Sequence, residues 1–194
     1  MNKASYDFYD YCTAIHSATL HVDRKAIDAA YELLINYMQN VVIFGNGGSA
    51  AIADHFCCDF VKGVWSDTNL KPRCTSLVSN GPLVSALAND FNYNQIFSEQ
   101  IFYHNPTLTI AVSSSGNSKN ILNALQIARG SNIKTIALVG FDGGEVLKTN
   151  AADAIIHVKA NNYGIVEDCH MMILHSLVQK IRREFAIYPY AVKL

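Results

Sequence analysis

Phe44-Gly45-Asn46-Gly47-Gly48-Ser49-Ala50 is the stretch whose reading decides the fold. The apolar, β-branched run Val41–Ile43 precedes it, and Ala51–Val61, which reads as helix, follows. A strand that ends in glycines and a hydroxyl and then opens a helix is how an α/β protein builds an anion site. Glycine lets the backbone turn tightly and approach a ligand, and the helix start offers unpaired N–H groups carrying partial positive charge. Further along, Leu108–Val112 runs into Ser113-Ser114-Ser115-Gly116-Asn117-Ser118, and an apolar-periodic helix follows from Ile121. Two such loops in one chain point to a phosphorylated, hydroxyl-rich ligand.

Outward from these loops the pattern alternates. Residues 5–20 and 24–39 read as helices, the second with Ile27, Ala30, Leu33, Leu34 and Met38 at helical spacing. Strands are expected at 41–45, 74–78, 108–112, 134–140 and 154–158, with helices at 50–61, 81–103, 118–130, 144–150 and 165–186. Strands separated by helices imply a parallel sheet covered on both faces, which binds ligands beyond the carboxyl ends of its strands. The two leading helices have no strand of their own. They are expected to pack on the domain and, with the last helix, to form a subunit interface.

The chain has 194 residues, half of them apolar, which suffices for one domain with a full core. A net charge of −1 with no basic run gives no electrostatic basis for nucleic-acid binding. No stretch approaches the roughly 20 apolar residues that span a bilayer, so no membrane partner is expected. Met1–Asp7 lacks the apolar core of a signal peptide. The five cysteines form no C-x-x-C pair, which reads as reduced thiols in a cytoplasmic protein. Gly45-x-Gly47-x-x-Ala50 also fits the dinucleotide fingerprint, but the next strand ends in Ser79-Asn80 rather than an acidic residue. No Gly-Lys-Ser/Thr follows the glycines either, so no nucleotide cofactor is expected.

The chemistry must come from side chains near the loops. His55 and Asp59 stand four apart on one face of the helix that Ser49 opens. The final helix carries Glu167, Asp168, His170 and His175. Glu167 and His175 are eight residues apart, about 12 Å of helical rise, so one atom touches both only by lying between them or across subunits. Most helical His and carboxylate residues are surface or satisfied core groups. The two phosphate-type loops raise these above that background. Cys57, Cys58 and Cys169 read as packing thiols, Asp142-Gly143-Gly144 as a turn, and Trp65 as a possible edge of the pocket.

In four ordered motifs the sequence resembles the phosphoheptose isomerase family of sugar isomerase (SIS) domains. They are Gly45-Asn46-Gly47-Gly48-Ser49, Ala88-Asn89-Asp90-Phe91, Ser113–Ser118 and Gly140-Phe141-Asp142-Gly143-Gly144, with the Glu167–His175 helix completing the set. The likeness runs from about Val41 to Phe185. It implies an α/β, flavodoxin-like sheet of five parallel strands flanked by helices, with an N-terminal helical pair. One domain would span 1–194, with 1–40 for oligomer packing and 41–186 as the sugar-phosphate-binding core. It also implies a homotetramer with active sites between subunits.

By the same resemblance Ser49, Ser113, Ser115 and Ser118, with nearby backbone N–H groups, would hold the phosphate; Asn46, Gly47, Gly48, Asn89 and Asp90 would line the sugar, and Ser114, Asp59 and Glu167 would also bind substrate. Asp59, Glu167 and His175 would do the catalysis, and His55, Asp59, Glu167 and His175 would form a zinc set. The activity implied is interconversion of sedoheptulose 7-phosphate and D-glycero-D-manno-heptose 7-phosphate, for surface polysaccharide precursors. Two departures stand out: the family's usual Glu base is Asp59, and its usual Gln on the last helix is Glu167. Two alternatives stay open, an isomerase of another sugar phosphate and a non-catalytic tetrameric adaptor that binds the replication initiator.

Overall fold

The structure, a computed structural model, describes residues 6–187. The chain ends that complete the expected 1–194 domain, including residue 5 of the expected first helix and the Met1–Ser5 segment, lie outside the described residues.

Five strands pair in parallel: β1 (Val41–Gly45), β2 (Cys74–Ser76), β3 (Leu108–Ser113), β4 (Lys134–Val139) and β5 (Ala154–His157). Their spatial order is β2-β1-β3-β4-β5, a flavodoxin-like doubly wound sheet. Burial on both faces explains why β1 and β3 read as unbroken apolar runs. Side chains still alternate. Val41 and Ile43 enter one core with Leu34, Phe56, Val166 and Leu174, whereas Val42 and Phe44 enter the other with Phe97, Ile121 and Leu125.

The helices are α1 (Phe8–Leu20), α2 (Arg24–Tyr37), α3 (Gly48–Cys58), α4 (Val64–Asp67), α5 (Gly81–Asp90), α6 (Ile96–His104), α7 (Lys119–Gly130), α8 (Gly144–Lys148) and α9 (Tyr163–Glu184). No described helix is long and apolar enough to cross a membrane. The N-terminal pair is present. Asp7 and Asp10 form a capping box on α1, and Asp23 caps α2. Helix α2 buries Ala30, Tyr31 and Leu34 against the sheet and α9. Helix α1 lies on α9, where the Tyr11 hydroxyl donates to Asp168 at 2.7 Å. Phe8, Tyr9 and Leu20 of α1 stay exposed.

Three segments differ from the sequence pattern. The helix expected at 50–61 passes into a π-helical turn, Asp59–Gly63, before α4. The helix expected at 81–103 breaks into α5, a 3₁₀ turn (Tyr93–Gln95) and α6. The polar residues Asn89, Asp90 and Asn92 account for that break, with the Asn92 side chain accepting from the Asn94 N–H. Strand β2 ends at Ser76 rather than residue 78, although Leu77 still donates to the Ile43 carbonyl at 2.9 Å. Cys57 of α3 packs against Cys74 of β2 with the thiol sulfurs 3.1 Å apart.

Leu34 joins the helical pair to the sheet and is fully buried. Leu34→Ala is expected to cost about 2–5 kcal/mol of stability. Urea unfolding measures it, and a loss under about 1 kcal/mol would mean that the pair is not part of the same cooperative core.

Candidate active site

Gly45 of β1 pairs with Val112 of β3, so the two Gly/Ser loops leave neighbouring strands side by side. This is the topological switch point, where β2 lies to one side of β1 and β3 to the other. After β1 the chain turns at Gly47, whose φ of 55° suits glycine, and α3 begins without a side-chain cap. A Cβ on Gly45 would stand 2.6 Å from the Ser49 carbonyl oxygen, so only glycine lets α3 start this close to the strand. Ser118 ends the second loop and opens α7, again with no side-chain bond to the helix. Both helix starts therefore keep unpaired N–H groups for a ligand.

Asn46, Ser49, Ser113, Ser114, Ser115, Ser118, Tyr163 and Glu167 line a cleft of about 130 Å³ between these loops. The Ser114 hydroxyl is buried with no partner among the described residues, the state of a group that a bound anion or water satisfies. The β4 loop buttresses the cleft: Gly140 N–H donates to the Ser114 carbonyl at 2.8 Å, and Val146 N–H to the Gly116 carbonyl at 3.0 Å. The Asp142 carboxylate accepts from Gly144 N–H at 3.1 Å, which makes this motif a turn that supports the serine loop.

A second cluster lies where α3 packs on α9. His55 Nε2 and His175 Nε2 are 2.9 Å apart, and Asp59 Oδ2 lies 3.3 Å from the first and 3.1 Å from the second. Two imidazole nitrogens and a carboxylate oxygen crowd one point, an arrangement relieved by a shared proton or a cation. Ligands about 2.0–2.1 Å from a tetrahedral zinc ion stand roughly 3.3 Å from one another, and N and O donors suit that ion. The three residues can hold a divalent metal.

Glu167 does not join this trio. It sits about two turns earlier on α9, at the serine cleft, and a Cβ on Gly48 would collide with its carboxylate. Gly47 and Gly48 are exposed at the mouth of the loop. Asn89 and Asp90 end α5, exposed and bonded to each other at 3.1 Å, outside the cleft lining. Sequence reasoning missed Tyr163, Tyr93 and Asn120. Tyr163 lines the cleft, and the Tyr93 hydroxyl and Asn120 amide both bond Asn46. Asn120, two residues past Ser118 at a helix start, carried the one local signal.

A sequence model of the SIS domain matches residues 7–140. The chain is 35% identical over 144 residues to the phosphoheptose isomerase of Colwellia psychrerythraea, covering 73% of each protein. It is also 35% identical over 161 residues to that of Coxiella burnetii, covering 80% of each. The chain belongs to the phosphoheptose isomerase family of SIS domains. The phosphoheptose isomerase structure from Neisseria gonorrhoeae superposes with a TM-score of 0.80 at 23% identity, covering 90% of this chain and 94% of that one. The Francisella tularensis structure does so with a TM-score of 0.80 at 24%, covering 91% and 94%. Within this SIS fold, α9 supplies Tyr163 and Glu167 to the serine cleft and His175 to the His–Asp trio.

His170 faces inward from α9, fully buried, with neither ring nitrogen in hydrogen-bonding geometry to a partner. Burial pushes its pKa down to about 4; the nearby Val139 carbonyl opposes the shift, and His157 adds to it. The folded state thus binds this proton more weakly than the unfolded chain. The stability linked to this group is complete above about pH 6.5 and is lost as pH drops toward 4, by about 3 kcal/mol in all. In His170→Gln, the slope of unfolding free energy over that window should flatten by about one proton. An unchanged slope would mean that His170 is already charged in the fold.

Proposed function

We propose that this chain is an aldose–ketose isomerase of a long phosphorylated sugar, interconverting sedoheptulose 7-phosphate and D-glycero-D-manno-heptose 7-phosphate. The observation that carries this reading is the convergence of Asp59 Oδ2 with His55 and His175 Nε2 on the helix that also supplies Glu167 to the serine cleft. The cleft suits a phosphate, with hydroxyls and helix starts as donors. About 12 Å of α9 separates Glu167 from His175, a reach that favours an extended sugar over a short one.

The reaction moves one proton between C1 and C2 through an enediol. Asp59 turns Oδ2 toward the histidines, and its other oxygen has no hydrogen bond among the described residues. That oxygen takes the carbon-bound proton and returns it to the neighbouring carbon, while His175 moves protons among the sugar oxygens. Ser49, Ser113, Ser115 and Ser118 spend phosphate-binding energy on holding the reacting carbons still. Asn46, Gly47, Gly48, Asn89 and Asp90 line the sugar path, and the Glu167 carboxylate accepts from sugar hydroxyls near the phosphate. Zinc held by His55, Asp59 and His175 would polarise the sugar carbonyl. A cytoplasmic homotetramer with sites between subunits is part of this reading, and the exposed Phe8, Tyr9 and Leu20 support a subunit contact there.

The test is proton exchange by NMR with sedoheptulose 7-phosphate in deuterated buffer. Deuterium at C2 of an aldoheptose phosphate is the expected result. Binding without exchange would move the assignment to another sugar phosphate or to a non-catalytic role. Asp59→Asn and His175→Gln should each lower turnover at least about 100-fold with the fold intact, and Glu167→Gln less than about tenfold. Near-normal turnover in the first two would place the base elsewhere. The chelated protein should regain one zinc per chain by elemental analysis and His175→Gln none; uptake by the variant would remove His175 from the set.

A further inference from the structure

Asn46 is assigned to the sugar, yet its side chain is already engaged. Its Oδ1 accepts from Asn120 Nδ2 at 2.9 Å and from the Tyr93 hydroxyl at 3.0 Å, and its Nδ2 donates to Asn120 Oδ1 at 2.9 Å. The two amides thus form a closed reciprocal pair.

The backbone sets which way the pair faces. Asn120 Oδ1 also accepts from the Ile121 N–H at 3.0 Å, a donor shared with the Ser118 carbonyl at 3.1 Å. A backbone N–H cannot reverse its role. Turning the Asn120 amide over would set its NH₂ against that N–H, and turning Asn46 alone would set like groups face to face. Asn120 is 2% exposed, so water offers no substitute partner. With both amides oriented, the Tyr93 hydroxyl has to be the donor to Asn46 Oδ1. An Asn amide has two N–H donors and two lone pairs on oxygen. Both lone pairs and one N–H are used within the protein, so a single N–H remains.

We propose that Asn120 and Tyr93 are positioning residues that lock the Asn46 amide, so that Asn46 reads the ligand only as an N–H donor to an acceptor oxygen. A ligand carbonyl, phosphate oxygen or hydroxyl lone pair satisfies it, whereas a group that must donate finds no acceptor on this side chain. The lock also ties the loop after β1 to the start of α7, and Tyr93 joins both to the turn that follows Asn89-Asp90. This inference deepens the isomerase reading and rests on it for the identity of the ligand.

The test is a mutant cycle with sedoheptulose 7-phosphate on Asn46→Ala, Asn120→Ala and the double variant. Asn120→Ala should raise KM about tenfold, the scale of one lost hydrogen bond, and more than it lowers kcat. That loss should vanish in the Asn46→Ala background, because Asn120 acts through Asn46. Additive losses would overturn the proposal. Should Asn120→Ala not fold, the exposed Tyr93→Phe takes its place in the same cycle, with a smaller rise expected and the same two outcomes decisive.

A second readout needs no substrate. Nitrogen-15 relaxation of the Asn46 side-chain amide should report an ordered group in the wild-type protein and a mobile one in Tyr93→Phe or Asn120→Ala. A mobile amide in the wild type sinks the proposal whatever the protein turns over. An ordered amide in a protein without isomerase activity rejects the isomerase and keeps the lock.

Discussion

The pairing of β1 with β3 is the constraint on which the rest depends. Because Gly45 lies opposite Val112, two loops built from glycine and serine emerge at the same height at the one place where the sheet changes direction. Helices α3 and α7 then start on either side of one cleft, neither with a side-chain cap from its N-cap residue. Neither loop makes a site alone. The buried Ser114 hydroxyl without a partner and the uncapped helix starts are the cost of leaving that cleft ready for an anion.

Helix α9 turns this anchor into a longer site. Its buried face, including Val166, Cys169, Ile173, Leu174 and Leu177, holds it against the sheet, α1 and α3. Glu167 is thereby set at the serine cleft and His175 against His55 and Asp59 on α3. The helix works as a ruler, fixing the separation between the serine cleft and the His–Asp cluster by its own rise. The π-helical turn that begins at Asp59 lies where the cluster forms, a common place for such turns.

Much of this was legible in the chain because the signals are local. Strand β1 announces itself by the apolar, β-branched run Val41–Ile43, the loops by their glycines, and the His55–Asp59 pair by a spacing of four. What depended on packing was less so. The family resemblance put Glu167 in one set with His175 despite the eight-residue gap between them, and in the fold its carboxylate lies beside Gly48. The helix break at Phe91 was foreshadowed by the polar run around it. Nothing in Asp59-Phe60-Val61-Lys62-Gly63 marks a π turn, since those residues also suit an α-helix. The Asn46–Asn120 pair joins residues 74 apart, and only the meeting of two loops creates it.

The cleft has one more property. Among the described residues its lining contains no lysine or arginine, and the Glu167 carboxylate is the one charged side chain there. An anion bound there would meet hydroxyls and peptide dipoles at contact distance, with a like charge nearby. Dissolved salt screens charges separated by many ångströms far more than dipoles that touch their ligand. For this lining, anion recognition would rest on shape and donor direction, with the ionic strength of the surroundings having little purchase on it.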